Sequence, residues 1–552
     1  MMTHLKSAVF SGLIFCLTAC DQPTSVSSSL SAPPVSDMTP SREKLTRAVY
    51  HDLILNPHQM TNAEQAIFLQ DLLEGLTAYD TAGHPVPAVA ESWQSEDYKT
   101  WFFILREGAQ WSNGDAVTAQ DFVHSWQNLA SSTSPLKTYL AFLNLANADA
   151  VLKGSMPVAD LGIEAIEHRV LRIQLDKPTP ALPAMLAHVA LLPTYQKESA
   201  QFVSNGAYRL VNQQDDFIHL EKNPHYWAHQ KVSFKFVDYQ KISASQPVSN
   251  IDWVLAPQHT LTPLQYFPTL CTHYYEFNLK HPLLQKSAVR KALISMISTR
   301  SIVQDVVPYM QATTQFLPYS MQMDSDLAWE PVVVEQVLEQ QGITESKPLQ
   351  FTLTYDQQPP NVEIAQRLIR MWSQSDMIRV KAQPVAWQQL LEKRAKRDFE
   401  VIRSGWCADY NEPSAFLNIF YSQAADNQAG YHHAEVDKLL EQTLLPQTET
   451  ERKHLYSKIT TQLQQDYVVL PIFQYTTPIF IHPTVTGYRL DNPTGTMYSK
   501  DLYRKVSEHK IICALLIAHA PQIEWGIAFI SLAQELLLSN KGTQVGIFAD
   551  YE

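Results

Sequence analysis

The stretch Arg403-Ser404-Gly405-Trp406-Cys407-Ala408-Asp409-Tyr410-Asn411-Glu412-Pro413 puts a base, an acid, an aromatic plane and a cysteine into one short segment. It reads as a strand end running into Asp409-Tyr410-Asn411-Glu412-Pro413, which has ordinary turn chemistry. So many reactive side chains at one strand end point to a ligand site. A second segment, Leu270-Cys271-Thr272-His273-Tyr274-Tyr275-Glu276-Phe277-Asn278, supplies the other cysteine in the central part of the chain.

Working outward, the 552 residues with 45% hydrophobic content bury a large core and call for two or three domains. The formal charge of −13 argues against nucleic acid, whose phosphates demand a basic surface. At the N-terminus, Lys6 precedes the apolar run Ala8 to Leu17, too short to span a bilayer but suited to a secretory signal. The run ends in Leu17-Thr18-Ala19-Cys20, a lipoprotein cleavage pattern that makes residues 1–19 a signal peptide and Cys20 the lipidated N-terminus. A plain secretory signal is the competing reading. Residues 20–43, rich in Ser, Pro and Thr, read as a flexible tether. After the signal, no run of about eighteen apolar residues follows.

A further series has a fixed order: Asp71-Leu72-Leu73-Glu74-Gly75-Leu76, Ala90-Glu91-Ser92-Trp93, Trp101 to Arg106, Trp111-Ser112-Asn113-Gly114, and Val117 to Trp126. It describes a strand of alternating aromatics, a tight Asn-Gly turn and a helix capped by Thr118. Asn205-Gly206-Ala207-Tyr208 and Leu220 to Trp227 continue it. Together with the two cysteine segments, this series resembles the oligopeptide-binding proteins of bacterial ABC importers, the peptide and nickel class of solute-binding proteins (family 5). The resemblance covers roughly residues 44–507.

The resemblance implies an α/β, two-lobed periplasmic-binding-protein fold, class II-like, with hinge closure and an additional α/β domain. Lobe I is then expected from residues 44–73, 196–260 and 477–507, the extra domain from 74–195 and lobe II from 261–476. It implies a binding protein and not an enzyme, with short peptides and membrane permease subunits as partners, no cofactor, no metal and a monomeric state. It places the chain on the periplasmic side of the cell membrane, held by the lipid on Cys20. Asp21 resembles an inner-membrane retention signal if the source has two membranes.

With Cys16 lost and Cys20 lipidated, Cys271, Cys407 and Cys513 remain, and the resemblance pairs Cys271 with Cys407. Such a bridge is worth about 5 kcal/mol by chain entropy. A free nucleophilic Cys407 is the alternative, without a local cysteine-enzyme signature. At the family's motif positions Asp409 pairs with the peptide α-ammonium, Arg403 and Arg394 are candidates for the peptide carboxylate, and Trp406 and Trp387 wall side-chain pockets. Gly405, Cys407 and the loop near Ala63 offer backbone hydrogen bonds to an extended ligand. Asp409 as a turn residue capping its own backbone, Arg394 on a solvated helix face and Trp387 in the core are the competing readings. Asn361 stands where oligopeptide binders commonly carry a histidine serving longer ligands, so the chain leans towards tripeptides. Thr61 replaces an acidic residue.

Other readings stay open at this point. A related receptor for a murein tripeptide, a dipeptide, haem or nickel is one, although Asp409 with two arginines favours a zwitterionic peptide. Adjacent His432 and His433 diverge on a strand or a helix and do not make a metal site. An envelope hydrolase is another, but no Ser-centred elbow, HExxH or paired-acid motif stands in a convincing context. The last stretch, residues 508–552, departs from the family and carries apolar segments at Ile511 to Ala520 and Trp525 to Leu538.

Overall fold

The computed structural model describes residues 43–245, 249–322 and 332–505. The expected signal peptide, tether, Cys20 anchor, Asp21 signal and 508–552 extension, with Cys513, lie outside the described residues. No described helix is long and apolar enough to cross a membrane.

Two long antiparallel strands, Leu264–Phe277 and Val469–Ile481, run side by side through the middle of an eleven-stranded sheet. On one side follow Val401–Cys407, Leu349–Asp356 and Ile378–Val385; on the other, Trp253–Leu255, Lys44–Val49, Phe236–Lys241, Phe217–Lys222 and Tyr208–Gln214. Parallel pairs need crossovers, and Asn361–Trp372 and Trp387–Lys396 are the helices that return the chain between Leu349–Asp356, Ile378–Val385 and Val401–Cys407.

The fourteen residues of Leu264–Phe277 span about 46 Å at the usual strand rise, enough to belong to both halves of the sheet. Its register against Val469–Ile481 shifts between Pro268 and Thr272, where proline has no N–H to give to the ladder. Such an irregularity bends the strand. The expected boundary after residue 260 falls just before this strand, and the one after 476 falls inside its partner.

The aromatic, β-branched composition of His273 to Phe277 suits a central strand, and its side chains are buried on both faces. Tyr275 and Phe277 pack with Leu353, Leu368 and Trp372, while Leu270 and Tyr274 pack with Phe316 and Phe416. Mixed α/β layering of this kind is a two-lobed binding-protein fold.

Residues 74–195 carry a separate antiparallel sheet, ordered Ala90–Gln94, Thr100–Leu105, Val170–Gln174, Ile163–Glu167. Burial alternates along Thr100–Leu105, the Trp111–Gly114 turn closes with Gly114 at φ +91°, and Thr118 and Asp121 form a capping box on the helix Ala119–Ser131. This part does not stand alone: Trp101, Phe103 and Phe122 share one apolar core with Leu45, Phe68 and Val237.

Two buried carboxylates join distant stretches of chain. Asp71 accepts from Tyr239 Oη (2.7 Å) and from Ser499 N and Oγ (3.1 and 2.6 Å), and Arg47 donates to Ser499 Oγ and Met497 O. Glu74 accepts from Tyr226 Oη (2.5 Å), Trp227 Nε1 (2.6 Å) and Lys500 Nζ (2.9 Å). Asn205 clamps the Glu74 backbone at both N and O. Gly206 follows because the chain passes too close for a side chain: a Cβ there would sit 2.7 Å from the Leu72 carbonyl carbon. Removing one partner from a buried ion pair strands the other, so Glu74→Ala is expected to lower the unfolding free energy by about 3 to 5 kcal/mol, read from the denaturant midpoint, whereas Glu91→Ala on an exposed pair should change it little.

Candidate functional site

The strand Val401–Cys407 pairs along its whole length with Leu264–Phe277, from Val401 opposite Phe277 to Cys407 opposite Cys271. Ala408 N donates to Leu270 O at 2.8 Å. Backbone groups alternate in direction along a strand, so the N–H and C=O of Arg403, Gly405 and Cys407 turn to the opposite edge. There the next strand, Leu349–Asp356, pairs only with Val401 and Ile402. The remaining edge is open, and an extended chain laid along it would complete the ladder. A Cβ on Gly405 would meet Thr272 O alone, at 3.7 Å, so protein packing does not demand the glycine.

A disulfide joins Cys271 to Cys407 at the end of this strand pair, with the Cα atoms 4.1 Å apart and 136 positions between them in sequence. Beyond it the turn is held by side chains. Asn411 accepts from Ser320 Oγ at 3.0 Å and donates to Gly83 O at 2.8 Å, bridging to residues 74–195. Glu412 accepts from Ser414 N, and Tyr410 is buried against Phe142, ring centroids 6.1 Å apart.

Asp409 is treated differently. Its carboxylate is open to solvent and, among the described residues, makes no hydrogen bond or ion pair. Its neighbours nevertheless displace enough water to push its pKa up. Tyr79 and Tyr139, whose hydroxyls are tied to Ala184 O and Met185 O, stand close enough to feel its charge. A partly desolvated, unpaired carboxylate is poised for a cation. The turn-capping reading has no bond to support it.

The two arginines do not converge. Arg394 donates from Nε and Nη2 to Glu276 Oε1 at 3.1 and 2.6 Å, and Glu276 also accepts from Tyr274 and Ser404. Glu276 thus lies on the Ser404 face of the sheet, and alternation sends Arg403 to the other. There Arg403 Nη1 stands 3.5 Å from Asp356 Oδ2, Nη2 donates to Tyr475 Oη at 3.1 Å, and Trp387 stacks over the guanidinium at 5.5 Å. Arg403 Nε is buried without a partner. The solvated-face reading of Arg394 fails, since its side chain is 17% exposed; its guanidinium is already committed to Glu276, while Arg403 retains a free donor.

Trp406 is half-buried and donates to Ala415 O at 2.7 Å. Trp387 is 45% exposed, which rules out a core position. Ala63 is exposed at the first turn of the helix Ala63–Leu72, capped by Asn62; no hydrogen bond or ion pair ties it to the Arg403–Pro413 segment among the described residues. Thr61 donates to Gln65 Oε1. Asn361 spends its amide on both Asp356 oxygens, at 2.9 and 3.0 Å. His432 bonds Ser422 Oγ, and His433 caps the helix Ala434–Thr443. Asp356, Tyr475, Tyr79 and Tyr139 were not legible as site residues, because each reaches the site from a distant element without a local motif.

An open strand edge beside an unpaired carboxylate, in a sheet whose two halves share two long strands, defines a two-lobed solute receptor. Residues 84–428 match the family described as Bacterial extracellular solute-binding proteins, family 5 Middle, and the chain belongs to that family. Members of it bind substrates and are not enzymes. A Haemophilus influenzae protein described only as a binding protein is 50% identical over 504 residues, 91% of this chain and 98% of its own length. The periplasmic oligopeptide-binding protein OppA of Salmonella typhimurium is 32% identical, covering 81% of this chain and 90% of its own. The unliganded open form of the murein tripeptide binding protein MppA superposes with a TM-score of 0.80 at 29% identity, over 85% of this chain and 98% of that one.

Reduction tests the strand end. Cys271→Ser with Cys407→Ser is expected to lower stability by about 3 to 5 kcal/mol, measured as the difference between denaturant unfolding of the oxidised protein and of the double variant; equal midpoints would show that the strand ladder alone holds this end.

Proposed function

We propose that the protein captures short peptides, of tripeptide size and similar, and delivers them to the permease of an ABC importer. The observation that carries this reading is the unpaired, partly desolvated Asp409 carboxylate beside the open edge of Arg403, Gly405 and Cys407. A receptor for many sequences has to recognise what all peptides share. Asp409 takes the α-ammonium, the open edge takes the backbone, and Arg403 takes the carboxylate. Arg394 is assigned a supporting part, holding Glu276 behind the strand. Trp387 and Trp406 wall side-chain space, and Ala63 offers its helix-start backbone from across the cleft.

The relatives' periplasmic location supports the same compartment here; the tether through Cys20 and the monomeric state are further parts of the proposal, resting on the sequence and the family resemblance. A murein tripeptide is the second reading, since a murein peptide-binding relative is 30% identical over 497 residues; it too carries a free ammonium and carboxylates.

Calorimetric titration with tri-alanine, its N-acetylated form and a murein tripeptide separates these. Free tri-alanine is expected to bind, and N-acetylation or Asp409→Asn to cost on the order of 3 to 5 kcal/mol, hundreds-fold or more in Kd. Binding of the murein tripeptide alone would select the second reading, and binding of neither would overturn both. The pH dependence has a defined sign. Because the Asp409 pKa is raised in the free protein, the carboxylate takes up its proton at a higher pH than an ordinary aspartate. Affinity for the ammonium should therefore be full above that pKa and decline as pH falls through it, and Asp409→Asn should flatten the profile.

A further inference from the structure

Behind the open edge lies a chain of polar side chains that no backbone ladder requires. His273 and Tyr275 are fully buried on the same face of Leu264–Phe277, opposite Gly405 and Arg403 in register. The His273 ring stacks on Phe473, centroids 4.6 Å apart and planes 14° from parallel, which fixes its orientation. Its Nδ1 lies 3.1 Å from Tyr475 Oη, and the same hydroxyl lies 3.1 Å from Arg403 Nη2. Arg403 ends at Asp356, which is held in turn by Asn361.

We infer that His273 is a positioning residue for ligand recognition: through the Tyr475 hydroxyl it fixes the guanidinium of Arg403 in one orientation for the ligand carboxylate. The order of donors follows from chemistry. A guanidinium only donates, so the Tyr475 oxygen accepts from Arg403. In the tautomer that carries the ring proton on Nε2, which is buried without a partner, Nδ1 of His273 accepts the one hydroxyl hydrogen. His273 is suited to this because burial, with the neighbouring Arg403 charge, holds its pKa well below the usual value; a neutral ring keeps its lone pair. Asp356 and Tyr475 take up the two terminal nitrogens from different sides, and Trp387 covers the plane at 5.5 Å. Tyr475 takes one of the five guanidinium N–H groups and Asp356 lies within ion-pair range of Nη1; with Nε buried and without a partner, the remaining terminal N–H groups are left for a ligand carboxylate. An arginine whose other donors are fixed by neighbours loses little freedom on binding a carboxylate.

This inference rests on Arg403 as the carboxylate contact, and the test keeps the two apart. The readout is the ratio of Kd for tri-alanine amide to Kd for tri-alanine, by calorimetry, on the purified protein and on His273→Phe, Tyr475→Phe, the double variant and His273→Asn. His273→Phe keeps a ring to stack on Phe473 and removes Nδ1. It is expected to lower the ratio about tenfold, the scale of one hydrogen bond to a charged group. Tyr475→Phe should do the same, and the double variant no more than either, since both cut one chain. His273→Asn, with an acceptor near the Nδ1 position, should recover most of the ratio. The loss caused by N-acetylation, which reads Asp409, should be unchanged throughout. A ratio unaltered by His273→Phe, additive losses, or an equal fall in the N-acetyl effect would overturn the positioning role while leaving Arg403 in place. A wild-type protein that does not prefer acid over amide would overturn the Arg403 assignment, and the inference with it. Should His273→Phe fail to fold, Tyr475→Phe carries the same comparison.

Discussion

The pairing of Leu264–Phe277 with Val469–Ile481 is the constraint on which the rest depends. These strands are common to both halves of the sheet, and they carry the irregularity at Pro268 to Thr272 where a bend is built in. One end of Leu264–Phe277 pairs with Val401–Cys407 and so positions Gly405 and the turn at Asp409. Its own side chains, His273, Tyr274, Tyr275 and Glu276, then reach both faces of the sheet beneath the open edge. The bend and the proposed recognition edge thus rest on one pair of strands, and a ligand laid along Val401–Cys407 would add to the ladder that the bend divides.

Strand alternation explains how charge is distributed around this site. Arg403 and Ser404 are neighbours in sequence and face opposite sides. Glu276 binds on the Ser404 side, with Arg394 as its counter-ion; Asp356 binds on the Arg403 side. Each buried acid therefore has its own cation, which avoids the heavy penalty of a buried lone charge. Asp409 is the exception in this neighbourhood. Its desolvation has no compensating partner within the described protein, and sites that hold such a group ready do so at some cost to stability.

The fold was largely legible because its landmarks are local. The alternating aromatics of Thr100–Leu105, the Thr118 cap and the Gly206 approach each carry their reason within a few residues. The sharing of one core between residues 74–195 and the first lobe was not legible, since Trp101 joins the same cluster as Leu45 and Val237 only through long-range assembly. At the site, Asp409 and the open edge were readable from one motif. The divergence of Arg394 and Arg403 was not, because the partner that captures Arg394 lies 118 positions away in another strand. The same holds for Tyr79 and Tyr139, which come near enough to Asp409 to feel its charge from a short strand and a helix of residues 74–195.

An exposed strand edge is ordinarily a hazard, since its unpaired amides template association with other proteins. Here the pairing of the covering strand stops at Ile402 and the disulfide ends the edge at Cys407, so only the Arg403 carbonyl and the groups of Gly405 and Cys407 are left unpaired. That is shorter than the six or seven residues from which self-propagating β-stacks are built. So short an edge offers too few unpaired groups to template a stack of copies, and it bounds the length of extended chain that could be laid along it.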